Sequence, residues 1–289
     1  MLAVTPAALR CRRITDADLD AVAALLSRGF RFRPKRFWLR GLKRQADRPR
    51  PENYPPYGYL LDSNGVAVGA VLMFFSNVTT RTGTVLRCNL SSWYVEPEFR
   101  NFGSLLVTTA IRDKNVTYLN VSPAPTTWPT IEAQGFLPFC RGEMFSIPAL
   151  SRPAAQTSIQ SVGADTALPD LAEAELLTAH ARLGCLSLML RSGGESFPFV
   201  FQRRRVLKRL LPCYRLIYCR DLGDFVRFAG NLGRFLLKRG TPLVVVDANA
   251  PIAGLAGHYT QRLGRKYARG PHVPKLGDLA YTEGVFFDF

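Results

Sequence analysis

The stretch YVEPEFRNFGSLLV, residues 94–107, narrows most sharply what this chain can become. Its opening residues read as a strand, Pro97 stops the run, and Gly103 leads into an apolar stretch with helical spacing. A buried-strand pattern, VTYLNVS at 116–122, follows soon after. Strand, helix and strand in that order predict a parallel crossover, which is right-handed by the twist of the strands. What precedes it is antiparallel in character. Strands at 57–61 and 66–75 flank DSNG, a hairpin turn, and 84–95 is a further strand.

The remaining elements fill in around this unit. A helix at 14–30 is capped by Thr15 or Asp16, and a short second helix is expected at 37–44. Helices at 104–113 and 126–136, the latter closed by Gly135, bracket the buried strand, and a strand at 139–147 ends the series. The order predicts an α/β (α+β) fold with a mixed, mostly antiparallel sheet and flanking helices. Residues 148–170 are rich in Pro, Ala and Ser. The expected organisation is a domain at 1–150, a linker at 151–170 and a second domain at 171–289.

The second half reads as a worn copy of the first. NLGRFLLKRGTPLVVVDANAP (231–251) mirrors NFGSLLVTTAIRDKNVTYLNVSPAP (101–125), with Gly230 opposite Arg100 and a helix about one turn shorter. GHYTQRLGR (257–265) parallels the helix of PTIEAQGF, and LAYTEGVFFDF (279–289) is expected as the closing strand.

At 289 residues and 47% hydrophobic, the chain can bury one large core or two ordinary ones. No apolar run approaches the roughly 20 residues of a membrane span. The N-terminal MLAVTPAALRCRR does not read as a secretory signal. Six cysteines lie far apart without metal-ligand spacing, a pattern of reduced thiols in a cytoplasmic protein. The formal charge of +16 fits either a polyanionic partner or an arginine-rich soluble surface. Two basic stretches concentrate it: 31–50, interleaved with Phe32, Phe37 and Trp38, and RRRVLKRLL at 203–211, apolar at helical spacing. These suit an anionic membrane surface or a phosphorylated or acidic acceptor; no recognised motif supports nucleic acid.

A loop at the C-terminal end of a strand, entering a helix at a glycine, can offer main-chain N–H groups and a helix dipole to an anion. LSSWYVEPEFRNFGSLLVTTAI (90–111) resembles the central motif of the GCN5-related N-acetyltransferase (GNAT) superfamily, with Val95-Glu96-Pro97 followed by Arg100-Asn101-Phe102-Gly103-Ser104-Leu105. VTYLNVS stands where the family's fifth strand would be, and EAQGF (132–136) is similar to its helix-end signature. Leu105 departs from the pattern, replacing the second small residue. The resemblance covers residues 1–150 well and 171–289 only through the internal copy. It implies two splayed parallel strands holding an acyl-CoA, with acetyl or longer acyl groups open. The pantetheine would pair with Trp93, Tyr94 and Val95, and the pyrophosphate would rest on the amides of Arg100 to Leu105.

The implied reaction is direct attack of an amine or hydroxyl on the thioester. The family's thiolate-protonating tyrosine would stand four residues before Gly135, where this chain has Ile131. Tyr94, Ser122 or water are the substitutes, and Glu96 is the candidate base or else a loop-end carboxylate. Trp38, Asn89, Ser91 and Trp128 are candidates for the acceptor pocket, or packing residues, and Ser92, on the strand of Asn89 and Ser91, could help to orient an acceptor. Cys88 is a conceivable nucleophile but reads better as a buried thiol. Glu132 reads as a helix-surface charge, and His180, His258 and His272 as packed or surface histidines. No metal site is expected. The competing reading is a non-catalytic GNAT-like module that binds CoA or a polyanion. The acceptor would be a small molecule or a glycan- or lipid-linked group.

Overall fold

The computed structural model describes residues 9–48, 50–80, 83–168, 171–206 and 211–287. They form two compact units, one from Met1–Asn120 with Arg269–Val273 and Thr282–Phe287, the other from Val121–Ala268 with Pro274–Tyr281.

The first unit runs β1 (Leu9–Arg13), α1 (Leu19–Gly29), α2 (Lys35–Ala46), β2 (Gly58–Ser63), β3 (Val66–Thr80), β4 (Gly83–Val95), α3 (Gly103–Ala110) and β5 (Thr117–Asn120). β1 to β4 pair antiparallel in sequence order, and β4 pairs parallel with β5. The β2–β3 turn has Asn64 and Gly65 at φ 52° and 84°, the left-handed pair that a tight hairpin requires. Arg12 grips Asp18 with two guanidinium nitrogens at 2.7 Å and donates to Asp62 at 2.8 Å, fixing β1 to β2 and to the start of α1. α1 buries Val22, Ala23, Leu25 and Leu26. Gln45, wholly buried on α2, donates to the carbonyls of Pro56 at 2.9 Å and Met73 at 2.8 Å, joining that helix to the sheet.

The second unit holds α4 (Trp128–Ala133), β6 (Leu137–Cys140), β7 (Gly142–Ser146), β8 (Thr157–Val162), α5 (Ala174–Arg182), β9 (Leu186–Ser192), β10 (Glu195–Val206), β11 (Leu211–Cys219), α6 (Leu222–Arg227), α7 (Ala229–Leu237), β12 (Val244–Ala248), β13 (Gly257–Thr260) and β14 (Lys266–Arg269). One sheet takes the order β13-β7-β12-β11-β10-β9-β8, and only the β11–β12 pair is parallel. Thus β8 to β12 repeat the order and sense of β1 to β5, and the internal copy read from the sequence is present in the fold, although its helix α7, 9 residues long, is not shorter than the 8-residue α3. Even a bulge is repeated. β4 places Ser92 and Trp93 where β3 has only Val71, and β11 inserts Ile217 between the partners of Val200 and Phe201.

Several expectations are corrected. Within the segment read as a linker, β8 pairs with β9, and its polar residues are those facing outward. RRRVLKRLL does not form a helix as far as it is described: Arg203 to Arg205 continue β10 and pair with Tyr214, Cys213 and Pro212, while 207–210 lie outside the described residues. GHYT is strand β13, not a helix. The closing strand is instead helix α8 (Glu283–Phe287), packed in the first unit. Phe286 stacks on Phe74 at 5.1 Å while Phe287 packs on Trp38 at 5.4 Å. Adjacent residues can both face a core from a helix, whereas a strand would turn one of them away.

All six cysteines are free. Among the described residues no helix is long and apolar enough to cross a membrane.

Candidate functional site

The β4–β5 ladder covers only Arg87↔Thr117, Cys88↔Tyr118 and Asn89↔Leu119, although β4 continues to Val95. Among the described residues the strands part beyond Asn89, and the bulge at Ser92 and Trp93 lies in the unpaired stretch. Ser92 has φ 52°, uncommon for a residue with a side chain. This is the gap that an extended ligand could enter and pair with along β4.

Past β4, Pro97–Phe102 winds as a 3-10 turn and α3 begins at Gly103. The Phe99 N–H donates to Glu96 O at 2.9 Å and the Gly103 N–H to Arg100 O. The expected run of bare amides from Arg100 to Leu105 is therefore shortened, because 3-10 winding uses its first members. Beyond Gly103, the first-turn amides of α3 at Ser104 and Leu105 are the candidate donors to an anion. Arg100, Asn101 and Phe102 are exposed beside them. Gly103 is buried, yet a Cβ there would meet Trp93 at 3.4 Å and Val95 at 3.8 Å, ordinary contacts. Internal packing does not require this glycine; close approach of a ligand to the backbone would.

Tyr94 and Glu96 are held as a set. Arg28 Nε donates to Glu96 Oε1 at 2.7 Å and the Tyr94 hydroxyl to Glu96 Oε2 at 2.8 Å. Both carboxylate oxygens are engaged, so Glu96 anchors Tyr94. Burial, with the bond to Glu96, pushes the Tyr94 hydroxyl above the usual phenol range. The Trp93 indole N–H is buried without a hydrogen-bond partner, its ring against Gly103.

The acceptor-pocket candidates separate. Trp38 is core, within 5.4 Å of the rings of Phe30, Phe37 and Phe287. Asn89 and Ser91 are buried together on the face that α8 covers: Asn89 Oδ1 accepts from the Glu283 N–H at 2.6 Å, and Ser91 Oγ is bonded to Glu283 Oε2. Glu283 was not singled out in the sequence, because one acid in a short terminal stretch has no local pattern. Ser122 is exposed and Trp128 lies under the Arg265 guanidinium at 4.0 Å; both belong to the second unit. Burial pushes the Cys88 thiol well above its ordinary range, which makes it an inert core group. Glu132 is exposed and accepts from the Tyr267 hydroxyl at 2.7 Å. His180 is buried, whereas His258 and His272 are exposed. A cavity of about 230 Å³ lies at the far end of α3 from Gly103, lined by Tyr54, Tyr118, Arg112 and Asp113.

The copy in the second unit is built differently at the matching place. Its β11–β12 ladder is also short, ending at Arg215↔Val245. Arg215 bonds Glu143 at 2.6 Å and Asp247 at 2.7 Å, and Lys266 bonds Asp247 at 2.8 Å. Burial acts to raise the Asp247 carboxyl, but Lys266 and Arg215 hold it below the ordinary value. Gly233, matched to Gly103, lies inside α7, where a Cβ would stand 2.1 Å from the Ala149 nitrogen. A Cβ on Gly230 would stand 2.4 Å from Ser151 O. Asn231 exchanges hydrogen bonds with the backbone of Ala154 at 2.8 and 3.0 Å. Here the chain's own residues 148–154 cover the helix that would otherwise meet a ligand.

No protein-family model and no curated protein matches the sequence. Solved structures do match the fold. A candidate acetyltransferase from Pyrococcus horikoshii superposes with a TM-score of 0.57 at 14% identity, over 97% of this chain and 96% of that one. A GCN5-related N-acetyltransferase from Anabaena variabilis gives 0.56 at 12%, over 90% and 72%. One from Kribbella flavida gives 0.54 at 16%, over 90% and 70%. The chain has the GNAT fold.

Proposed function

We propose that this protein transfers an acyl group from acyl-CoA to an amine or hydroxyl. The observation that carries the reading is the early end of the β4–β5 ladder at Asn89↔Leu119, followed by a glycine-started helix. In this reading the pantetheine pairs with the free edge of β4 at Trp93, Tyr94 and Val95. The pyrophosphate meets the amides of Ser104 and Leu105 over Gly103, with Arg100, Asn101 and Phe102 beside it. A β4 N–H beyond Asn89 faces the thioester oxygen, where negative charge grows as the acceptor attacks. The second unit takes no acyl-CoA, because residues 148–154 occupy the matching helix surface, so one acyl-CoA binds per chain.

Isothermal calorimetry with acetyl-CoA and longer acyl-CoAs tests this, and the expected result is saturable binding at one site. No heat and no thermal shift with any of them would overturn it.

Ile131 favours a second reading. It is buried in α4 at the position of the family's acid and cannot protonate a thiolate. A module that binds CoA without turnover would show the same calorimetry but release no thiol in the presence of amines, hydroxyl compounds or sugars. Of the basic stretches, α2 turns Phe37 and Trp38 inward and most of its cations outward, which suits an anionic acceptor or surface.

A further inference from the structure

At the end of the β4–β5 ladder, two hydroxyls and a carboxylate form a hydrogen-bonded row. Ser92 Oγ lies 2.9 Å from Ser91 Oγ, and Ser91 Oγ is bonded to Glu283 Oε2. Ser92 is half-buried, whereas Ser91 is 5% and Glu283 3% exposed, so the row leads from an open end to a buried acid. Its position is fixed from both strands. The Glu283 N–H is held by Asn89 Oδ1, and Asn89 Nδ2 reaches the Leu119 carbonyl at 3.3 Å across the last rung of the ladder. Cations on the neighbouring segment approach the same helix: Arg44 donates to Phe286 O at 3.3 Å, and the Arg48 guanidinium stands 5.2 Å from the Phe286 ring.

A buried carboxylate is costly to retain for packing alone. This one ends a chain of exchangeable protons at the bulge where the gap opens. We propose that Ser92, Ser91 and Glu283 form a proton relay that carries the acceptor's proton away from the reacting centre, with Glu283 as its terminus. The inference rests on the acyl-transfer reading. As the acceptor nitrogen bonds to the thioester carbonyl carbon, its proton passes to Ser92 Oγ, that of Ser92 to Ser91 Oγ, and that of Ser91 to the Glu283 carboxylate. The carbonyl re-forms as the C–S bond breaks. The electron pair leaves on sulfur, which takes a proton from water, and the proton on Glu283 returns to the resulting hydroxide along the same row.

The test uses the full chain, acetyl-CoA and hydroxylamine as a minimal acceptor, with hydroxamate formation measured across pH and acetyl-CoA affinity measured separately by calorimetry. Glu283→Gln keeps the shape and the bond to Ser91 but cannot accept the proton. It should bind acetyl-CoA within about twofold of the native protein, lose about 100-fold in turnover and lose the rise of rate with pH. Ser92→Gly removes only the outer hydroxyl at a backbone conformation that suits glycine, and should lose about tenfold. If Glu283→Gln fails to fold, Ser92→Gly decides. Native rate and pH profile in the deciding variant overturn the relay. So does a native protein that binds acetyl-CoA yet leaves the hydroxylamine reaction at its solution rate. A native protein that binds no acyl-CoA removes the reading beneath the relay instead.

Discussion

Gly29 lies against the face of Tyr94: a Cβ at position 29 would stand 2.4 Å from the ring's Cγ and Cδ2. The last turn of α1 thus presses the tyrosine that Glu96 holds by its hydroxyl, and Arg28, the preceding residue, holds Glu96. Gly29→Ala must displace the ring. The expected loss is about 1–3 kcal/mol of stability, the usual consequence of overpacking, together with weaker acyl-CoA binding because the shift reaches β4. Urea denaturation measures the first and calorimetry the second. Native values of both would mean that Tyr94 moves without consequence.

Much of the architecture was legible because its signals are local. Asn64-Gly65 specifies a hairpin by backbone conformation alone, and Pro97 with Gly103 marks a strand end and a helix start at short range. The site was legible only in part. That Glu96 is bound by Arg28, 68 positions away, and that Ser91 meets Glu283, 192 positions away, are facts of tertiary structure with no sequence period behind them. α8 was misread for a related reason. VFFDF has strand-forming residues, but a pocket among Phe74, Phe37 and Trp38 takes two adjacent phenylalanines, and packing overrides propensity.

Gly103 and Gly233 match in the internal copy yet should respond in opposite ways to alanine. At 103 the new Cβ makes ordinary contacts of 3.4 and 3.8 Å in a helical conformation. Gly103→Ala should leave stability unchanged or raise it by about 0.5–1 kcal/mol, while acyl-CoA affinity falls at least about tenfold as the methyl fills the ligand's approach. Gly233→Ala should destabilise by about 1–3 kcal/mol, since Ala149 backbone atoms stand 2.1 Å from the new carbon, and leave acyl-CoA affinity intact. Denaturation midpoints and titrations of the two proteins check the contrast. Equal affinities would remove Gly103 from the binding surface.

Asp247 balances Arg215 and Lys266 in the second unit, with side chains of Asp247 and Lys266 each only 2% exposed. Asp247→Asn leaves the buried Lys266 without its carboxylate and Arg215 with Glu143 alone. Removing one partner of a buried set strands the others, and the expected loss is about 3–5 kcal/mol. Equilibrium denaturation measures it. Replacing Asp247 and Lys266 together by Asn and Met should recover part of that loss, because the unpaired charge is removed with its partner.

His180 gives a pH signature that can be assigned. Its Nε2 accepts from the Tyr281 N–H at 3.2 Å, so the ring proton sits on Nδ1, 2.8 Å from the Leu176 carbonyl. A second proton would break the Tyr281 bond inside a fully buried site, and burial pushes the imidazole down to about 4 from its ordinary 6.5. The unfolded chain therefore takes up a proton near pH 6.5 and the folded chain only near pH 4. The stability tied to a neutral His180 is whole above pH 6.5 and drains away as the pH falls toward 4, by up to about 3 kcal/mol. Carboxylates held low by their partners, Asp18 under Arg12 and Asp62 under Arg12, act later, because their unfolded pKa is already near 3.8. Urea denaturation at pH 7, 5.5 and 4.5, buffer values chosen to span the window, should show the native protein weakening throughout. His180→Gln, less stable at pH 7, should hold a flat stability over the same interval. Parallel slopes for the two proteins would mean that another group titrates there.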